Sequence, residues 1–108
     1  MRFIFMPPRF LSKQELITIG GHSHTHQILS YLDDQALNFE IFTSIEMLQQ
    51  NICRKLHHFS YPEGLSQHFS QRCIDVLRAA GILICPSAIP GVNDNHTDLF
   101  HINRISVT

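Results

Sequence analysis

The sequence predicts an α/β fold in which parallel strands alternate with flanking helices. Apolar residues recur at helical spacing in two segments, short apolar runs lie between them, and Gly or Pro marks most of the joins. Strands that alternate with helices of this length make βαβ units, which set the strands parallel and gather ligands beyond their carboxyl ends.

Taken in order, Ser12 and Glu15 fit a capping box, so a short helix is expected over about 12–16. Leu16-Ile17-Thr18-Ile19 reads as a buried strand that runs into Gly20-Gly21. From Asp33 to Ile52 the residues Leu37, Ile41, Ile45, Leu48 and Ile52 mark one face of a helix, capped by Ser30, Asp33 and Asp34. Phe59-Ser60-Tyr61 is a short strand, kept extended by Pro62 and closed by a turn at Gly64. Phe69, Cys73, Val76, Leu77 and Ala80 face one way on a second helix, and Gly81 stands where a left-handed cap belongs. Ile82 to Cys85 is the third strand, residues 86–98 read as a surface excursion, and Ile102 to Val107 is a last strand.

With 108 residues, 44% of them hydrophobic and 16% charged, the chain is expected to form one folded domain over residues 1–108. The net charge is −1, and Arg and Lys are scattered rather than gathered into a stripe that could track phosphates, so nucleic acid is not an expected partner. The apolar run Phe3 to Met6 stops at Pro7, far short of the roughly 20 residues that cross a bilayer and short of a signal peptide's apolar stretch. No membrane span is expected, and the cytoplasm is the default compartment. Cys53, Cys73 and Cys85 are odd in number and form no Cys-x-x-Cys pair, which points to buried free thiols.

Eight histidines are present, three of them in His22-Ser23-His24-Thr25-His26 at the carboxyl end of a strand. In an extended segment side chains 22, 24 and 26 share one face, whereas in a helical turn only 22 and 26 do. His22 and His26 converge either way, and neutral imidazoles suit zinc, cobalt, nickel or iron. Two histidines are an incomplete ligand set, and hydrogen-bonded loop histidines are the plainer alternative. His96 with Asp94 and Asp98 could form a weak metal site, but a polar loop is the plainer reading.

The run Ile19-Gly20-Gly21-His22-Ser23-His24-Thr25-His26, followed by Leu29-Ser30 and a helix carrying Glu40, resembles the second motif of the polysaccharide deacetylases, the NodB-homology or carbohydrate esterase family four domain. Phe59-Ser60-Tyr61-Pro62-Glu63-Gly64 is similar to that family's third motif, and Ala79-Ala80-Gly81-Ile82 and Asn103-Arg104-Ile105-Ser106-Val107 resemble later segments. The likeness covers about residues 10–107. It implies metal-dependent hydrolysis of N-acetyl or O-acetyl groups on a polysaccharide or oligosaccharide. A divalent ion, zinc first, would bind His22 and His26, with Ser23 orienting the loop. Tyr61 and Pro62 would contact substrate, and the Glu63 backbone N–H would hold the oxyanion.

The sequence departs from the family in ways that bear on activity. No Thr-Phe-Asp-Asp segment, the source of the base and third ligand, precedes His22, and Met1 to Phe10 contains no acid. Ser60 replaces an Arg, Glu63 replaces an aromatic residue, and no late Leu-x-His motif follows. A closed (β/α) barrel takes about 200 residues or more, so the resemblance implies an incomplete barrel whose open edges favour self-association. The expected protein is a truncated deacetylase of little activity alone. The alternative is a non-catalytic carbohydrate- or metal-binding module, with Phe59 and Tyr61 as sugar-stacking faces.

Overall fold

A computed structural model of the chain describes Lys13 and residues 17–106. The expected helix at 12–16 and the residues Leu16 and Val107 lie outside the described set. Asp34–Ile52 forms helix α1. Asp33 precedes it in extended conformation, and its carboxylate accepts the Ala36 N–H at 2.8 Å, a cap worth about 1 kcal/mol. Leu37, Ile41, Ile45 and Ile52 are buried along one stripe, as their spacing requires. Ser30 takes no part in the cap: it lies in a separate single turn, Leu29–Tyr31, and its hydroxyl donates to the Gln67 carbonyl.

Gln71–Ala79 forms helix α2, with Cys73, Ile74 and Leu77 buried. Its end is set by Gly81 at φ 91°, where the Gly81 and Ile82 N–H groups donate to the carbonyls of Arg78 and Leu77, each at 3.0 Å. This is the Schellman arrangement, which only a residue at ease with positive φ allows. Arg72 on α2 reaches back to Asp34 at 2.8 Å, tying the two helix starts together.

Three extended segments run parallel, with Gly21 paired to Phe59 and His58 to Ile84. Beyond them Pro86–Pro90 (β1) pairs in parallel with Ile102–Arg104 (β2). The α/β reading with parallel strands therefore holds, and three details change, the first being that the last strand stops at Arg104 with Ile105 and Ser106 outside it. Residues 86–90 are a strand rather than surface excursion, since prolines at a strand's ends cost no ladder bond there and Ser87, 1% exposed, donates its hydroxyl to the Ile102 carbonyl. The first strand is not buried: Ile17 is 41% exposed, because residues 17–21 have a neighbour on one side only among the described residues.

Phe59, Tyr61 and Cys85 share one buried cluster with Leu37, Ile41 and Ile45 of α1 and Cys73, Ile74 and Leu77 of α2. Alternate residues of the same segments, Thr18, Gly20, His22, His58, Ser60, Ile84 and Pro86, together with Gly21 and Phe59, line a cleft of about 380 Å³. Period-two alternation thus gives the sheet one face packed on helices and one open face. Cys73 and Cys85 are buried as expected, whereas Cys53 is exposed at the end of α1. Among the described residues no helix is long and apolar enough to cross a membrane.

Candidate metal centre

The loop that carries the histidines leaves the sheet at Gly21, whose N–H donates to the His58 carbonyl while its own carbonyl accepts the Ser60 N–H, both at 2.9 Å. A Cβ here would stand 2.8 Å from a Phe59 ring carbon, so glycine is what lets the two segments close up. That pairing delivers His22 to Ser60. The His22 Nδ1 lies 2.8 Å from the Ser60 carbonyl oxygen and 2.8 Å from its hydroxyl. A carbonyl can only accept, so Nδ1 carries a hydrogen, and in the neutral ring the lone pair then lies on Nε2.

Ser23 (φ 67°) and His26 (φ 59°) both adopt left-handed backbone, and the two turns fold the loop back on itself. The rings of His22 and His26 come together with centroids 4.8 Å apart and planes tilted by 56°. His24 leaves this pair and packs edge-on against Phe39 of α1, centroids 5.6 Å apart. The extended arrangement, with three histidines on one face, is therefore not the one adopted.

Ser23 does not orient the loop, since its buried hydroxyl has no hydrogen-bond partner among the described residues. Glu40 on α1 does. One carboxylate oxygen accepts the His24 and Thr25 N–H groups at 2.9 and 2.8 Å, and the other accepts the Thr25 hydroxyl. Burial pushes the Glu40 carboxyl up, but these hydrogen bonds from Thr25 and His24, with the His24 ring nearby, outweigh it and hold the group below the usual carboxylate range.

The second loop is held as firmly. Tyr61 is 3% exposed, its ring stacks on Phe69 with centroids 4.0 Å apart, and its hydroxyl donates to the Phe100 carbonyl at 2.8 Å. Pro62 is also buried, and so is Phe59 at 2% exposure. None of the three presents a stacking face to a sugar; the aromatic rings belong to the core that fixes the loop. What the loop offers outward is Glu63, exposed at φ 62°, whose N–H makes no hydrogen bond among the described residues. Gly64 follows at φ 76°, and its carbonyl accepts the Ala88 N–H at 2.8 Å. A Cβ on Gly64 would sit 2.9 Å from that nitrogen.

Two imidazoles with an oriented donor nitrogen fit part of a divalent metal site. Among the described residues no third His, Cys, Asp or Glu joins them. A second cleft, of about 250 Å³, lies between Ile17, Ile52, Lys55 and His57 and contains neither histidine of the pair.

The family model for polysaccharide deacetylases matches residues 10–84. Among solved structures, the chain is similar to the Streptococcus pyogenes deacetylase PplD in complex with acetate, with TM-score 0.72 and 16% identity over 80% of this chain and 37% of that one. It is similar to IcaB from Ammonifex degensii, with TM-score 0.67 and 22% identity over 86% of this chain and 42% of that one. The deacetylase domain of BpsB from Bordetella bronchiseptica follows, with TM-score 0.57 and 18% identity over 68% and 28%. At such identities the likeness speaks for the fold, and the chain spans less than half of each of these structures. No curated protein matches the sequence closely enough to add to this. The match over residues 10–84 places the chain in the polysaccharide deacetylase family.

Proposed function

We propose that this chain forms an arc of a (β/α) barrel as a single domain, and that it carries the histidine half of a metal-dependent site for hydrolysing acetyl groups on polysaccharide or oligosaccharide. The observation that carries the reading is the convergence of His22 and His26, with the Ser60 carbonyl holding Nδ1 and leaving Nε2 to face a cation. A divalent ion bound there, zinc first, would polarise the acetyl carbonyl and ease deprotonation of water. His22 and His26 would hold the ion, the open face of the sheet would admit the sugar, and the Glu63 N–H would donate to the carbonyl oxygen. Tyr61 and Pro62 serve substrate binding through the pose they impose on that loop.

The family's Asp pair is absent from the sequence, so this chain by itself is expected to bind metal and to turn over little substrate. A second reading, a non-catalytic carbohydrate- or metal-binding module, is favoured by the pair having no third His, Cys, Asp or Glu beside it among the described residues. Titration calorimetry with zinc should give one site, weakened at least about tenfold in His22→Ala and in His26→Ala, since each removes a ligand. Acetate release from acetylated chitooligosaccharides should be feeble. A wild-type chain that retains no divalent ion would sink the metal reading, and glycan binding that persists in chelator would favour the module.

A further inference from the structure

We infer that Glu40 is the positioning residue that sets the His26 imidazole against that of His22; the inference rests on the metal reading of the pair. A carboxylate only 5% exposed is costly unless its oxygens are used. Here both are used, and all three donors come from His24 and Thr25, the two residues directly before His26. The backbone on either side, at Ser23 and His26, is left-handed, a conformation that residues with a Cβ keep only under outside support. Ser23 supplies none, as its hydroxyl is unpartnered among the described residues. Glu40 can supply it because α1 anchors it, capped by Asp33 and packed through Leu37 and Ile41, its neighbours on the buried stripe. The loop's shape is therefore copied from a helix rather than stored in the loop.

The test uses the full chain, first without metal. In the wild type, nuclear magnetic resonance should show slowed exchange of the His24 and Thr25 amides and a nuclear Overhauser contact between the two imidazoles. Glu40→Gln keeps the size of the side chain but turns an N–H₂ group toward donors. It should abolish that contact and speed both amides, with the core methyl spectrum unchanged. Zinc affinity should then fall about tenfold or more, the range for losing a residue that orients a metal ligand. Thr25→Val removes one of the three bonds at an exposed position and should show the same losses at smaller size, which covers the case of a Glu40 variant that fails to fold. Thr25→Ser should restore wild-type behaviour.

Imidazole contact and zinc affinity unchanged in folded Glu40→Gln, or in Thr25→Val if the first does not fold, would overturn the inference even if the variant melts earlier. A wild type that shows the Glu40-dependent contact yet retains no zinc would overturn the metal reading and leave Glu40's part in shaping the loop in place.

Discussion

Glu40 ties the protonation of one buried group to the shape of the histidine loop. Its folded pKa lies below its unfolded one, so its contribution is whole above the ordinary value of 4.5 and is lost as pH falls through the lower folded value. Protection factors of the His24 and Thr25 amides should accordingly stay high at neutral pH and fall in that acid window before those of α1 fall; protection there that is flat with pH would contradict the assignment. The convergence of His22 and His26 was legible in the sequence, because a four-residue spacing after Gly-Gly brings the pair together in either backbone state. Their supports were not. Ser60 reaches His22 across 38 residues, and Glu40 reaches Thr25 across 15. No local pattern encodes such contacts, and the loop-orienting role expected of Ser23 came from the family resemblance alone.

At the scale of elements, legibility followed the strength of the local signal. Helix α1 declared itself through five apolar positions and an Asp cap, and α2 through Gly81, since both signals act within one or two turns of chain. Strand β1 did not, because Pro86 and Pro90 read as loop punctuation and only the parallel pairing with β2 reveals them as strand ends. Cys53 is a similar case: it sits beyond α1 at φ 55°, where glycine is usual, and its burial could not be inferred from cysteine statistics. The helix end exposes it while the sheet and α2 enclose the other two thiols. Burial pushes the Cys85 thiol up to about 12, so little thiolate forms near neutrality. Iodoacetamide at pH 8 should thus label the folded chain at Cys53 alone, with Cys73 and Cys85 modified only after denaturant; mass spectrometry of the peptides checks this.

For the whole molecule, the informative asymmetry is between the two faces of the sheet. One is closed by α1 and α2, and the other carries His22, His58 and Ser60 beside a cleft, with residues 17–20 forming no ladder bond among the described residues. Unpaired N–H and C=O groups at such an edge recruit another strand. Light scattering over a concentration series should therefore show a mass that rises above 12.4 kDa, whereas a constant monomer mass would count against an open arc. Backbone strain is unevenly distributed as well: of the four non-glycine residues at positive φ among those described, Ser23, His26 and Glu63 lie in the two candidate loops. Glycine at any of these would relieve the left-handed strain at the cost of more freedom in the unfolded chain. It would also loosen the two loops, so relief of strain and fixity of shape oppose each other at the same three positions.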